Sequence, residues 1–203
     1  MKTILFDFDG VLVHTHVVCY EIHKELNPNI KYDFFQSLSF GNFQELIEKA
    51  KTENKIIVGN DFGKLYKGRL SSLETPEELK KVVVKLSAKY PLFIVSSADS
   101  NWISPFLEKE SIADKFKKIL GSDVHFSKTE KIKNLLIEYK LSPQDVVFVT
   151  DTTGDIMEAR ECEVKSIGVT WGLHEREILA KERPFALVDT PEELERKIEE
   201  FFK

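Results

Sequence analysis

The sequence has little cysteine, no long apolar run and no excess of positive charge, and each absence excludes a class of protein. Its 2 cysteines, Cys19 and Cys162, lie far apart, which argues against a disulfide framework and suits a reducing compartment. No apolar run approaches the ~20 residues that a membrane-spanning helix needs. Lys and Arg number 29 against 34 Asp and Glu, and the net charge of −5 gives no reason to expect nucleic acid or an anionic membrane as a partner.

The first residues of the chain are unlike a secretion signal. Met1 and Lys2 pass directly into a short apolar stretch that ends in aspartates, without the long apolar region of a signal peptide. We therefore expect a cytoplasmic protein. At 203 residues the chain is long enough for one large domain, or for a main domain with a small insert.

Short β-rich runs recur along the chain, and most of them are continuously apolar. Such runs predict strands that are covered on both faces, as in a parallel sheet. The predicted strands are Thr3–Phe8, Leu92–Ser96, Val146–Thr150 and Val164–Val169, with weaker ones at Phe185–Val188 and Lys118–Gly121.

Helical patterns with clear start signals lie between the predicted strands. Thr75-Pro76-Glu77-Glu78 and Thr190-Pro191-Glu192-Glu193 each combine a capping box with a proline at the first helical position. The alternation of strand and helix over residues 1–13 and 75–203 predicts an α/β core domain with a doubly wound, Rossmann-like parallel sheet. In such a sheet the ligand site lies at the carboxyl ends of the strands.

Residues 14–74 break this alternation. They contain no convincing strand but several helical stretches, among them Val17–Leu26 and Asn42–Thr52. We therefore expect a small helical cap domain that is inserted after the first strand. Because the insert follows directly on the end of that strand, it is able to fold over the predicted ligand site.

The first predicted strand ends on two like charges, Asp7 and Asp9, which are separated by Phe8. Side chains alternate along a strand, so the two carboxylates are expected on one face and close together. Their repulsion raises the pKa of one of them unless something positive lies between them. A metal cation or a shared proton is therefore the first hypothesis for this position.

Polar groups also follow two other predicted strands. Ser96 and Ser97 offer hydroxyl and backbone donors that suit an oxyanion. Asp151 ends a later strand, and Asp155 stands at the expected start of a helix, where a carboxylate also serves as a simple cap. Oxygen ligands with few histidines favour Mg²⁺ over zinc, and Mg²⁺ characteristically bridges carboxylates to phosphate.

A capping box at Ser127-Lys128-Thr129-Glu130 predicts another helix and places Lys128 in its first turn. A cation there opposes the helix dipole by roughly 0.3–1 kcal/mol, a penalty that a nearby anion removes. Lys131 is the competing candidate, and a solvated surface lysine is the ordinary alternative. Carboxylates, a hydroxyl and a lysine at the strand ends describe a hard-cation site beside an anion site, which points to phosphoryl transfer.

In their order along the chain, these residues resemble the four motifs of the haloacid dehalogenase superfamily. The matching segments are DFDGVL (7–12), Ser96, Lys128 and TDTTGD (150–155). The segments IGVTWGLHEREIL (167–179) and VDTPEEL (188–194) are similar to the phosphoglycolate-phosphatase-like branch of that superfamily. The resemblance covers the α/β portion almost completely, and the ordered set of four motifs is specific.

The resemblance implies an Mg²⁺-dependent phosphatase that acts on a small phosphorylated metabolite through an aspartyl-phosphate. It makes Asp7 the nucleophile and Asp9 the general acid/base. The implied Mg²⁺ site consists of Asp7, the backbone carbonyl of Asp9, and Asp151, with Asp155 in support. The implied phosphoryl-binding groups are Ser96, the Ser97 amide and Lys128.

The chain departs from the family pattern at His14, Thr129 and Thr150, where the family commonly has aspartate, proline and glycine. These departures leave the substrate open. A phosphomutase of the same superfamily is an alternative, because it uses the same aspartyl-phosphate. A non-catalytic binding or regulatory protein is another, although a silent site has no need for Asp9.

Two further groups have ordinary explanations. His16, Cys19 and His23 share one face of a predicted helix, which is compatible with a transition-metal site, but a core cysteine beside unremarkable histidines is the preferred interpretation. Basic side chains between residues 64 and 69 either recognise an anion or are simply solvated, and solvation is preferred.

Overall fold

The computed structural model of the chain describes residues 1–53, 55–56 and 60–203. Within these residues the centre is a six-stranded parallel sheet with the strand order β3-β2-β1-β4-β5-β6. The strands are β1 (Thr3–Phe6), β2 (Leu92–Val95), β3 (Phe116–Leu120), β4 (Val146–Thr150), β5 (Lys165–Val169) and β6 (Ala186–Val188). Because all neighbours are parallel, the carboxyl ends of the strands meet at one edge of the sheet.

The helices fall into a consecutive group and an alternating group. Between β1 and β2 the chain forms α1 (His16–Leu26), α2 (Tyr32–Ser37), α3 (Phe43–Thr52), α4 (Asn60–Leu70) and α5 (Glu77–Ser87). The remaining helices, α6 (Ser100–Lys109), α7 (Lys128–Glu138), α8 (Thr153–Glu161), α9 (Arg176–Ala180) and α10 (Pro191–Phe201), alternate with the strands. In the described part of the chain, no helix is both long and apolar enough to cross a bilayer.

The doubly wound α/β fold is confirmed, and three strands, β1, β2 and β3, end one or two residues earlier than predicted at their carboxyl ends. β1 stops at Phe6 because the chain turns immediately afterwards: the Phe8 carbonyl accepts from the Leu12 amide at 2.9 Å, and Gly10 has φ +72°. Asp7 therefore directly follows the strand, and Asp9 belongs to the turn after it. The predicted alternation within one strand is wrong, although both aspartates still line one cavity.

The two faces of the sheet are covered by separate apolar clusters. Ile4 and Phe6 of β1 belong to a cluster that includes residues of α5, α6 and α10, whereas Leu5 belongs to a cluster that includes residues of α7 and α8. The apolar stripe predicted for α5, which consists of Leu79, Val82, Val83 and Leu86, is buried. Burial on both faces explains why the strand sequences are continuously apolar.

The helices before α5 pack over the carboxyl edge of the sheet. α2 and α3 share an apolar cluster with Leu173, which lies in the loop after β5. Polar contacts join the same regions: the Gly154 amide donates to the Ser39 carbonyl at 3.0 Å, and the Gln36 side-chain amide donates to the Leu173 carbonyl at 3.1 Å. These contacts enclose the space above the strand ends.

Of the three predicted helix caps, those at Ser127 and Thr190 are confirmed and the one at Thr75 is wrong. At α10 the Thr190 hydroxyl accepts from the Glu193 amide at 3.2 Å, as the capping box predicts. At α5 the cap residue is Pro76, and the preceding Thr75 instead donates its amide to the Glu110 carboxylate at 2.9 Å. Glu110 comes from the end of α6, so its contribution depends on tertiary packing.

The two threonines therefore respond differently to the same substitution. Thr190→Val should lower the free energy of unfolding by about 0.5–2 kcal/mol, because it removes a cap oxygen. Thr75→Val should be neutral or slightly stabilising, because its buried hydroxyl has no hydrogen-bond partner in the described part of the chain. Urea denaturation of both variants measures the difference, and a larger loss at position 75 would contradict the observed capping.

Candidate active site

A cavity of about 250 Å³ lies between the carboxyl edge of the sheet and the helices α1–α4. Most of the residues that the sequence singled out line it. They are Asp7, Asp9, Ser97, Lys128, Asp151 and Asp155. The carboxyl ends of β1, β2 and β4 are adjacent in the sheet, which explains why residues from distant parts of the sequence meet there.

Lys128 lies between two carboxylates at the floor of the cavity. Its ammonium nitrogen is 2.8 Å from Asp7 Oδ2 and 2.7 Å from Asp155 Oδ2, and all three side chains are buried. Burial alone lowers the pKa of Lys128, but the Asp155 and Asp7 carboxylates more than offset that effect and keep the pKa above its usual value. The lysine is therefore charged, and it is not the solvated surface lysine of the ordinary alternative.

Asp7 is held from both sides. Its Oδ1 accepts from the Phe8 amide at 2.7 Å, and its own amide donates to the Val149 carbonyl of β4 at 2.9 Å. Burial raises the pKa of Asp7 well above its usual range; the Lys128 ammonium opposes that rise, and the nearby Asp155 and Asp151 carboxylates add to it. The site thus concentrates negative charge that one lysine does not balance.

Asp155 is not a simple helix cap, because Thr152 occupies the cap position of α8 and accepts from the Asp155 amide at 3.3 Å. The Asp155 carboxylate instead accepts from the Thr150 hydroxyl at 2.6 Å and pairs with Lys128. Burial tends to raise the pKa of Asp155, but Lys128 and the hydrogen bonds, including that from Thr150, lower it below its usual value. Thr150, one of the departures from the family pattern, thus supplies a hydroxyl that glycine lacks.

Asp151 is wedged between two glycine backbones. A Cβ atom at Gly10 would lie 1.9 Å from Asp151 Oδ2, and one at Gly172 would lie 2.3 Å from it, so neither position tolerates a side chain. The Leu173 amide donates to the same oxygen at 2.7 Å. Asp151 Oδ1 is buried without a hydrogen-bond partner in the described part of the chain. Burial raises the pKa of Asp151 to about 7.

That unpartnered oxygen makes the site suitable for a hard cation. Lys128 engages one oxygen each of Asp7 and Asp155, and Asp155 also accepts from the Thr150 hydroxyl, so Asp151 contributes the oxygen that is open to a cation. Across residues 1–53, 55–56 and 60–203, no group of three or more His, Cys, Asp or Glu side chains forms a complete metal site. Mg²⁺ does not require one, because it binds through one or two carboxylates and completes its shell with water and phosphate oxygens.

Asp9 accepts a hydrogen bond from α4, one of the helices between β1 and β2. Tyr66 of α4 donates its hydroxyl to Asp9 Oδ1 at 2.5 Å. Burial raises the pKa of Asp9, and the hydroxyls of Thr15 and Tyr66 oppose that rise. The sequence analysis missed Tyr66, which lies among the basic residues between 64 and 69. Of those, Lys64 and Lys67 are exposed, in agreement with the preferred solvated interpretation.

Lys131 is buried, and it binds backbone carbonyls instead of facing the cavity. Its ammonium donates to the Ser96 carbonyl at 2.6 Å and reaches the Gly121 carbonyl at 3.4 Å, so it links the loops that follow β2 and β3. Burial and the charge of Lys128 lower the pKa of Lys131 to about 8. The geometry therefore favours Lys128 as the lysine of the anion site, and gives Lys131 the task of fixing the loop that contains Ser96.

The loop after β2 presents Ser97 to the cavity, together with Ala98. Ser96 itself is fully buried, and its hydroxyl accepts from the Ala98 amide at 3.0 Å. The hydroxyl still has a proton to donate. Ser96 therefore shapes the loop in addition to any contact with a ligand.

Glu158 is a second residue that the sequence analysis missed. Its carboxylate accepts from the backbone amides of Lys128 at 2.9 Å and Thr129 at 3.2 Å, and from the Asn42 side chain at 2.8 Å. A protein carboxylate from α8 thus occupies the start of α7 and offsets the unfavourable position of Lys128 on the helix dipole. No local pattern reveals it, because Glu158 lies 30 residues from Lys128.

Comparisons with known proteins agree with this architecture. Residues 4–169 match the family model described as haloacid dehalogenase-like hydrolase. A phosphoglycolate phosphatase of Synechococcus elongatus is 24% identical over 202 residues, which cover 96% of this chain and 95% of that protein. A phosphoglycolate phosphatase of Escherichia coli K12 is 30% identical over 97 residues, 46% of this chain but only 38% of that protein.

Solved structures share the fold at low sequence identity. A haloacid dehalogenase-like hydrolase from Streptococcus pneumoniae superimposes with a TM-score of 0.77 at 22% identity and covers 96% of both chains. A hydrolase from Pseudomonas syringae has a TM-score of 0.80 at 13% identity and covers 98% of this chain and 99% of that one. With the family match over residues 4–169, these findings show that the chain belongs to the haloacid dehalogenase-like hydrolase family.

Proposed function

We propose that the protein is an Mg²⁺-dependent phosphatase that hydrolyses a small phosphorylated metabolite through an aspartyl-phosphate. One observation carries the proposal: a buried Asp7–Lys128–Asp155 arrangement stands beside the unpartnered Asp151 oxygen. The first group offers a carboxylate next to an anion-binding ammonium, and the second offers a cation ligand. The relatives named phosphoglycolate phosphatases, at 24–30% identity, support hydrolysis of a phosphate monoester.

In this proposal Asp7 attacks the phosphorus atom. Its Oδ1 is fixed by the Phe8 amide, so the carboxylate is oriented before the substrate binds. Lys128, the Ser97 amide and the Ser96 hydroxyl hold the phosphoryl oxygens, on which negative charge lies throughout the transfer. Mg²⁺, held by Asp7, the Asp9 carbonyl and Asp151 with Asp155 in support, supplies positive charge that one lysine does not.

Asp9 carries out the two proton transfers of the reaction. It protonates the leaving oxygen as the ester bond breaks, and it then accepts a proton from the water that hydrolyses the phosphorylated Asp7. The raised pKa of Asp9 favours the protonated form that the first step needs. The Tyr66 hydroxyl at 2.5 Å from Asp9 Oδ1 holds this carboxyl in place.

We further propose that residues 14–74 act as a cap domain over a core domain formed by residues 1–13 and 75–203. The contacts of Ser39 with Gly154, and of Tyr66 with Asp9, tie the helices α1–α4 to the catalytic edge. A cap in this position limits access to small substrates and shields the site from bulk solvent. The partner is then a small phosphorylated metabolite, in keeping with a cytoplasmic enzyme that binds neither nucleic acid nor membrane.

A screen of phosphorylated metabolites with and without Mg²⁺ tests the function directly. We expect Mg²⁺-dependent release of inorganic phosphate from at least one small monoester. Conversion of sugar bisphosphates to isomers without phosphate release would instead support a phosphomutase. Complete inactivity across the panel would favour the non-catalytic alternative.

Substitution of Asp7 and of Asp9 should impair different steps of the reaction. Asp7→Asn should abolish turnover, because an amide does not attack phosphorus. Asp9→Asn should reduce turnover by ~10²–10⁴-fold, because it removes proton transfer but leaves the nucleophile. With an activated aryl phosphate, mass spectrometry should detect phosphorylated Asp7 in the Asp9→Asn enzyme and none in the Asp7→Asn enzyme. Phosphate attached to Asp9 would reverse the assignment.

The two buried lysines form a matched pair. Lys128→Met should lower kcat by about 10²–10³-fold, the usual loss for one donor to a transition-state oxyanion. Lys131→Met should leave kcat much closer to that of the wild type, because its ammonium binds carbonyls instead of facing the cavity. Steady-state kinetics on one substrate compares them, and a larger effect at Lys131 would contradict the proposed anion site.

Metal binding has a readout that does not depend on turnover. Mg²⁺ should raise the melting temperature of the wild-type protein, because the ion binds the folded state and satisfies the buried Asp151 oxygen. Asp151→Asn should fold but lose this shift. A calorimetric scan with and without Mg²⁺, with Asp145→Asn on the surface as the matched control, separates the two cases. An unchanged shift in Asp151→Asn would remove Asp151 from the metal site.

A further inference from the structure

The side of the cavity formed by the helices α1–α4 differs in chemistry from the carboxylate floor. It is lined largely by apolar and aromatic side chains, among them Phe35, Phe43, Ile47 and Phe62, with Trp102 from α6. Rings contact one another along this wall: the ring centroid of His23 lies 5.5 Å from that of Phe35 and 4.8 Å from that of Phe62. The proposed leaving group would lie on this side of the cavity. It would therefore face aromatic rings, which we call the aromatic wall.

This wall offers little positive charge. Among the described residues, the lysine that lines it is Lys51, whose ammonium lies 2.5 Å from the Glu48 carboxylate on the exposed side of α3. Burial lowers the pKa of His16, and it lowers that of His23 to about 4, so both imidazoles are neutral at pH 7. The residues outside the described ranges, 54 and 57–59, carry no charged side chain. Among the described residues of this wall, a carboxylate on the leaving group would therefore meet one cation, Lys51, for which Glu48 competes.

Two neutral hydrogen-bonding groups are available instead. The Nδ1 atoms of His16 and His23 are buried without partners in the described part of the chain, and both residues line the cavity. A neutral imidazole nitrogen either donates or accepts one hydrogen bond. Such a group hydrogen-bonds an uncharged polar atom of a ligand, but it supplies no positive charge to neutralise a buried carboxylate.

We propose that the leaving group of the substrate is uncharged and largely apolar, with an aromatic ring as the best fit. The inference rests on the proposed phosphatase function and narrows it to a substrate class. It separates this chain from its relatives named phosphoglycolate phosphatases, because the glycolate leaving group carries a carboxylate. The cavity volume of about 250 Å³ equals that of about eight water molecules at ~30 Å³ each, which suits one phosphoryl group and one small leaving group.

A matched pair of esters tests the substrate class. Benzyl phosphate and phosphoglycolate both join the phosphoryl group to a methylene, which carries a ring in one and a carboxylate in the other. We expect kcat/KM to be at least ten-fold higher for benzyl phosphate. Equal or higher kcat/KM for phosphoglycolate would overturn the inference and leave the phosphatase function intact.

Binding of two phosphonates separates this inference from the proposed function. Benzylphosphonate and phosphonoacetate carry the same ring and carboxylate but have no ester bond to hydrolyse. In calorimetric titration with Mg²⁺ present, benzylphosphonate should bind at least ten-fold more tightly. That preference without hydrolysis of any ester would overturn the phosphatase function alone, whereas tighter binding of phosphonoacetate would overturn the substrate class.

Substitutions on α3 test the role of charge. Gln44 lines the cavity and is only half-buried, so Gln44→Arg adds a cation to the wall with little disturbance of the core. It should raise kcat/KM for phosphoglycolate by about ten-fold relative to benzyl phosphate. Thr52→Arg adds the same charge at an exposed position of the same helix and should leave the ratio unchanged. An equal change in both variants would contradict a local effect.

Lys51→Ala tests the alternative that Lys51 already binds the carboxylate of the substrate. Because its ammonium is paired with Glu48, we expect the ratio of the two kcat/KM values to change by less than two-fold. A selective loss of phosphoglycolate hydrolysis by ten-fold or more would assign Lys51 to carboxylate recognition and overturn the inference.

Discussion

The ammonium of Lys128, held between Asp7 and Asp155, is the interaction on which the rest of the site depends. Burying charged groups is costly unless they are paired, so this arrangement persists only if all three are fixed by their backbones. Asp7 directly follows β1, α7 begins at Lys128, and Asp155 lies in the first turn of α8. Two carboxylates around one ammonium leave a net negative charge, and Asp151 adds to it. A further cation or bound protons therefore balance the site, and the raised pKa values of Asp7 and Asp151 favour protons where no cation is bound.

The sheet order explains why these groups meet. β1 lies between β2 and β4, so the loops after the three strands share one edge. The loop after β5 then closes on Asp151 through Gly172 and the Leu173 amide, while Gly10 closes on it from the other side. This backbone cage fixes one oxygen of Asp151, and the other has no donor among the residues that the structure describes. Glycine at both positions is thus a requirement of close approach to a carboxylate.

The sequence predicts the sheet and the charged residues at the strand ends because both depend on local pattern. Apolar runs identify buried strands, and a carboxylate directly after such a run, as at Asp7 or Asp151, needs a functional explanation. Local patterns in the sequence do not reveal contacts between distant segments of the chain. Tyr66 reaches Asp9 from 57 residues away, and Glu158 caps α7 from a different helix. The predicted cap at Thr75 is wrong for the same reason, since the Thr75 amide donates to Glu110 from the end of another helix.

In the proposed function, one helix of the insert, α4, contacts both the residue that transfers protons and the wall around the leaving group. α4 carries Tyr66, which holds Asp9, and also Phe62, which lines the wall around the proposed leaving group. Phe62 and Tyr66 lie one turn apart and their rings are stacked, with centroids 6.0 Å apart. A shift of α4 on a ligand therefore moves both residues together. Other parts of the insert contact the carboxylate floor directly: the Ser39 carbonyl accepts from the Gly154 amide, and the Asn42 side chain donates to the Glu158 carboxylate at the start of α7. A change in the sequence of the insert therefore acts on the floor as well as on the wall.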